Sequence, residues 1–240
     1  VNKSVLKLIK ELNLSIFTEQ DLVDKEIIVI FPGNFQPMGQ HQREEYQRLC
    51  RKFGVDNVFV VTDDMVNKQK HPFTFDEKVQ IMKRHGIKNI ERVSNPFMPN
   101  EILKNFDENN TVVIFAVSQK NLKELKSYKR LTKYNGSAKL TIKDIQNPYV
   151  YYMITNEVKY DIPSFGLMSF DTIQKALGDR EAKLSELKSR FISIFGWFDS
   201  KIFNMVISKM NMDRGKIVEK SNPLGLVTRT FWKKVYNEIK

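Results

Sequence analysis

Glu26-Ile27-Ile28-Val29-Ile30-Phe31, followed by Pro32-Gly33-Asn34-Phe35-Gln36-Pro37-Met38-Gly39-Gln40-His41-Gln42, decides how this chain folds. The first part is an apolar, β-branched run, the pattern of a central parallel strand buried on both faces. Pro32-Gly33-Asn34 breaks it, and residues 41–53 read as a helix that stops at Gly54. In an open α/β sheet, ligands bind outside the carboxyl ends of the strands, at the switch point of the topology. Gly33 suits close approach of backbone to a phosphate, and the amides that open the helix after Gly39 suit an anion. The same residues suit a tight strand-to-helix turn with no ligand, so both readings stand on these residues alone.

Outward from this segment, strands are expected over 57–62, 89–93, 111–117 and 149–154. Between them, Thr74 with Glu77 three residues on forms a capping box for a helix through 75–85, with Gly86 as its stop. A short helix is expected over 100–106 and a basic one over 120–130. Alternation of strand and helix predicts an α/β fold, a Rossmann-like doubly wound parallel sheet of about five strands. After Asp161 the pattern becomes all helical, with helices expected over 171–178, 180–195, 199–211 and 223–239. Residues 3–13 predict one more amphipathic helix. The expected organisation is a helical lead-in over 1–25, an α/β body over 26–160 and a helical C-terminal part over 161–240.

The 240 residues are 41% hydrophobic and 28% charged, a globular composition that excludes long disorder and fibrous repetition. No apolar run approaches the roughly 20 residues of a membrane helix. Val1-Asn2-Lys3-Ser4 leads into a charged amphipathic segment, so no signal peptide is expected. Cys50 is the one cysteine; with no internal disulfide and no zinc spacing, a cytoplasmic protein is expected. The net charge is +11 and unevenly spread. Residues 119–143 carry eight Lys/Arg against Glu124 alone, and residues 180–240 carry thirteen against six acids. Such regions attract polyanions, either nucleic acid or an acidic protein partner, and equally suit a plain solvated surface.

Gly33-x-Phe35-x-Pro37 after a first strand resembles the nucleotidyltransferase superfamily of cytidylyl- and adenylyltransferases, which includes nicotinamide-mononucleotide adenylyltransferase and carries G-x-F-x-P-x-H-x-G-H at this point. Pro72-Phe73-Thr74-Phe75-Asp76-Glu77-Lys78 is similar to the family's P-F-x-F-x-E-K/R helix start. Residues 112–121 resemble its fourth strand and V-G-x-K-D end, and Met168–Leu177 aligns without gaps on I-S-G-T-x-v-R-x-x-L. The resemblance covers residues 26–178 and in style is nearest to nucleotidyltransferase-like proteins of large tailed phages, which implies host cytoplasm or virion as the location. It implies transfer of a nucleotidyl group from ATP or CTP to a small phosphorylated acceptor, with Mg²⁺. His41 is the implied catalytic residue. Gly33, Asn34, Phe35, Gln36, Gly39, Gln42, Ser118, Lys120, Ser169 and Thr172 are the implied nucleotide-binding residues.

The chain departs from the motifs at charged positions. Without gaps, the family's two histidines fall on Gly39 and Gln42; a slip of one residue puts the second on His41 and the first on Met38. The second signature has Phe170 and Asp171 for its Gly and Thr, and Gln174 for its Arg. Loss of one donor that stabilises the transition state costs on the order of 100- to 1,000-fold in rate. Two classes of function follow: a divergent, slowed nucleotidyltransferase, or an inactive descendant serving as a binding or structural protein. His71 and His85 read as structural or solvated, and Asp63-Asp64 as a solvated pair or a neighbour of a metal.

Overall fold

The computed structural model describes residues 26–67, 70–107, 111–125, 132–134, 150–155 and 158–211. The helices expected over 3–13 and 223–239 lie outside these residues, as does the second half of the one expected over 120–130.

The apolar runs form the sheet. Strands β1 (Glu26–Pro32), β2 (Val58–Thr62), β3 (Asn89–Arg92), β4 (Thr111–Val117), β5 (Thr132–Lys133) and β6 (Val150–Ile154) all run parallel, in the order β3-β2-β1-β4-β6-β5. β4 is buried along its whole length and β1 from Ile28 onward, as strands covered on both faces must be. Alternate residues serve alternate cores. Val29, Phe31, Val112 and Ile114 pack with Tyr46 and Leu49 of helix α1 (Gln40–Phe53). Ile28, Ile30, Val113 and Phe115 pack with Leu125 and with Ile102 of the short helix α3 (Asn100–Leu103). Helix α2 (Phe75–Arg84) carries the expected capping box: Thr74 Oγ1 accepts from the Glu77 amide, and the Thr74 amide donates to Glu77 at 2.9 Å.

Helices α4 (Phe170–Leu177), α5 (Leu184–Phe195) and α6 (Ser200–Met210) share a third core with Phe73 and Ile81, so they pack against α2 on the α/β body. Lys209 of α6 pairs with Glu77 at 2.9 Å. Three differences from the sequence reading stand out. A hairpin, β7 (Asp161–Ile162) with β8 (Gly166–Leu167), precedes α4 where only helix was expected. Ser164 and Gly166 adopt positive φ there and turn the chain. The segment Gln119–Leu125 winds as a 3₁₀ helix, not an α-helix; Leu122 and Leu125 both reach the core, and their spacing of three matches the three residues per 3₁₀ turn. β5, two residues long, is too short to leave a periodicity.

His85 joins the layers. Its Nδ1 accepts from Trp197 Nε1 at 3.0 Å, so its Nε2–H donates to the Met38 carbonyl, also at 3.0 Å. Burial is the main cause that pushes its pKa from 6.5 down to about 4, against the Met38 hydrogen bond, which raises it. Between those values the unfolded chain binds the extra proton. Stability is therefore complete above about pH 6.5 and falls as the pH drops toward 4, by about 3 kcal/mol for this residue. The expected result is an NMR titration midpoint near 4 for the His85 ring, with a falling urea midpoint over the same range; a midpoint at the ordinary histidine value would contradict it.

Candidate functional site

The switch point lies between β1 and β4, and a cleft of about 810 Å³ opens there, within the range of small-molecule sites. The β1–α1 loop forms its floor, through Gly33, Asn34, Phe35, Gln36, His41 and Gln42. Ser118 and Lys120 line it after β4, and Ser169 lines it at the start of α4. Gly39 and Thr172, also expected to bind nucleotide, are not among the lining residues. The stretches 33–42, 118–120 and 168–171, far apart in sequence, thus meet around one cavity.

Several of these side chains are already engaged in building the site. The Gly33 amide donates to Val61 O at 3.1 Å, extending the ladder toward β2. A Cβ on Gly33 would lie 2.9 Å from the Phe35 ring, so the glycine admits its own loop's aromatic. Phe35 itself sits at φ 45, and the Gln36–Pro37 peptide is cis. The buried Gln36 carboxamide accepts from the Phe73 amide at 2.9 Å and donates to the Phe73 carbonyl at 3.2 Å, fixing the segment before α2. Gln42 Oε1 accepts from the Gly39 amide at 3.1 Å, and Ser169 and Thr172 cap α4 reciprocally. These roles locate the residues without requiring a ligand.

His41 sits in the first turn of α1, its Nδ1 2.9 Å from the Met168 sulfur. That contact brings the stretch before α4 onto the first loop. A Cβ on Gly39 would meet the Met168 sulfur at 2.8 Å and His41 Nδ1 at 3.0 Å, so this glycine makes room for the pair. Met168 is held by its amide on Tyr160 O at 2.7 Å, and the Tyr160 hydroxyl donates to Glu44 on α1. Burial, and then the charge of Lys120, push the His41 pKa from 6.5 down to about 4. The ring is therefore neutral near pH 7.

The opposite wall was not read from the sequence. Lys70 and His71, before α2, and Phe97, after β3, line the cleft on the β2/β3 side. Two lining residues each carry a buried side-chain atom without a hydrogen-bond partner, Ser118 Oγ and His71 Nδ1. Lys70, Lys120 and Lys159 are exposed and rim the cleft; no ion pair joins them to another described residue. Of the three lining carboxylates, Glu45 is taken by Arg48 at 2.6 and 2.9 Å, Glu124 lies 3.9 Å from Lys123, and Asp171 lies in the first turn of α4. Of the acidic pair after β2, Asp63 is buried on Lys78 and not solvated, while Asp64, its side chain 32% exposed, binds the Phe75 amide and Arg92. Among the described residues no group of three or more His, Cys, Asp or Glu is placed to hold a metal ion, and no helix is long and apolar enough to cross a membrane.

No protein-family model matches the sequence, and no curated protein matches it.

Proposed function

We propose that this chain binds a nucleoside triphosphate, ATP or CTP, in the switch-point cleft and transfers its nucleotidyl group slowly to a small phosphorylated acceptor. The observation that carries the reading is the convergence of His41, Lys120 and the Ser169 end of α4 on one cavity above the β1 turn. Nucleotidyl transfer asks a protein mainly to position reactants and to stabilise spreading negative charge. Lys120, exposed at the rim, offers a point charge. The neutral His41 ring offers one N–H. Mg²⁺ belongs to this chemistry as the counter-ion that arrives with the triphosphate, because the described side chains do not form a ligand set of their own. A cytoplasmic or virion location and a relationship to phage nucleotidyltransferases belong to the same proposal.

The test is pyrophosphate release with Mg²⁺ across ATP, CTP and phosphorylated acceptors, alongside thermal shift. Release that depends on both triphosphate and acceptor supports the proposal. A second reading, a retained nucleotide pocket without turnover, is favoured by Asp171, whose carboxylate would oppose a triphosphate from the first turn of α4. Thermal stabilisation by a triphosphate with no pyrophosphate would select it. A nucleic-acid or acidic-protein partner is a separate outcome: retention on DNA that falls steeply with salt and ignores nucleotide.

A further inference from the structure

The corner between α5 and α6, Gly196-Trp197-Phe198-Asp199, contributes no residue to the lining of the cleft. Gly196 closes α5, its amide on Ile192 O at 2.7 Å. Asp199 opens α6, its carboxylate accepting from the Lys201 and Ile202 amides at 2.9 and 3.1 Å. Two apolar side chains stay in solvent here, Phe198 at 36% and Ile192 at 47% exposure. Trp197 is half-buried and fixed in place: Nε1–H donates to His85 Nδ1 at 3.0 Å, and the ring packs edge-on against His85 and Phe191. Cations stand on these rings. Arg84 Cζ is 5.9 Å from the Trp197 centroid, and Lys188 Nζ is 5.8 Å from the Phe198 centroid. A Cβ on Gly196 would lie 3.2 and 3.3 Å from the two terminal nitrogens of Arg43, so that guanidinium lies against the same corner. Arg43 Nε is buried without a hydrogen-bond partner. None of the three cations is ion-paired with another described residue. Asp199, the one acid of the corner, is engaged by the cap.

We infer that this corner is a docking surface for single-stranded nucleic acid, with Trp197 and Phe198 as its stacking platform and Arg43, Arg84 and Lys188 as its phosphate-facing charges. The inference does not rest on the nucleotide reading of the cleft. Charge disfavours occupants from this chain: a second copy brings a net +11, and residues 212–240 bring seven Lys/Arg against three acids. The cations call for an anion, and the rings call for a flat apolar face. A base-bearing strand supplies both, whereas an acidic peptide answers the cations alone. Because Trp197 is already held, its ring loses little freedom on binding. Its one donor is taken by His85, so the ring reads no base edge and the surface tolerates any sequence. A duplex keeps its base faces stacked on one another and cannot use the platform.

The test is fluorescence anisotropy of the full chain with a labelled oligothymidylate of about 12 nucleotides, within the site sizes of single-strand binders. It should bind more tightly than a duplex of the same length, and about as tightly as a mixed-sequence strand. Phe198→Ala should weaken it about tenfold. Arg84→Gln and Lys188→Gln should each make the salt dependence shallower, by about 0.7 in logarithmic slope. Lys104→Gln, at an exposed lysine beyond α3, should leave both affinity and slope unchanged. In the unsubstituted chain, a strand carrying 5-iodouracil should crosslink on irradiation to Trp197 or Phe198, as mapped by mass spectrometry; this readout needs no variant to fold. Absence of single-strand binding, preference for the duplex, binding indifferent to Phe198→Ala, or crosslinks confined to other residues would overturn the inference. So would tighter binding of polyglutamate than of the strand, lost in Phe198→Ala, which would make the partner an acidic protein.

Discussion

Asp63→Ala is expected to destabilise the chain by roughly 3–5 kcal/mol, the scale for removing one partner of a buried ion pair. The Lys78 side chain is 0% exposed, and its ammonium has three donors and three acceptors: Thr62 Oγ1 at 3.0 Å, the Asp63 carbonyl at 2.8 Å and Asp63 Oδ1 at 3.1 Å. Burial holds the Lys78 pKa below its usual range while Asp63 pulls it back up. Removing the carboxylate leaves desolvation unopposed by the nearest anion. Lys78→Met should cost less, because the Asp63 side chain that remains is 10% exposed and still accepts from the Met65 amide. The double variant should recover most of the loss seen in Asp63→Ala. Urea denaturation of the three variants measures this, and additive losses would show that the pair is not the cause. The effect reaches the cleft, because Thr62 Oγ1 passes the network on to the Asn34 carbonyl at 3.3 Å. Triphosphate affinity should therefore fall with stability in Asp63→Ala and return in the double variant.

The sheet was legible because its signal is local. Runs such as Thr111–Val117, with every residue buried, state their own strand, and the lengths between them state parallel crossovers. The capped start of α2 was equally plain, since Thr74 acts within three residues of itself, whereas Ser169, expected to bind nucleotide, also caps α4. The lining of the candidate site was legible where motif and turn coincide, in residues of 33–42 and 168–171. Long-range placement was not. Asp63 and Asp64 look solvated in sequence, and only the fold brings Lys78 and Arg92 to them. Gln36 reads as a ligand residue until Phe73, 37 positions away, arrives at its carboxamide. Met168 is an ordinary apolar residue until its sulfur reaches His41. In each case the deciding partner lies on another element, and no periodicity encodes it.

His41→Ala carries the largest expected effect on turnover: pyrophosphate release should fall on the order of 100- to 1,000-fold, the scale for one charge-stabilising donor. The ring's environment fixes how it can act. With its pKa near 4 it is neutral at pH 7, so it can donate one hydrogen bond but adds no charge. The Met168 sulfur beside Nδ1 can only accept, so that contact favours the proton on Nδ1, and donation to a ligand from Nε2 gives that hydrogen bond up. A group that acts on developing charge should lower the rate far more than triphosphate affinity; equal losses in both would make His41 a ground-state contact. Lys120 provides the control. Its charge is the second cause of the lowered His41 pKa, after burial, so Lys120→Met should raise the ring's titration midpoint, read by NMR. Because Lys120 is exposed, that substitution should leave the urea midpoint unchanged while weakening triphosphate binding. If the His41 midpoint stays fixed in Lys120→Met, the two side chains do not share one electrostatic environment, and the convergence on which the proposed function rests fails at its centre.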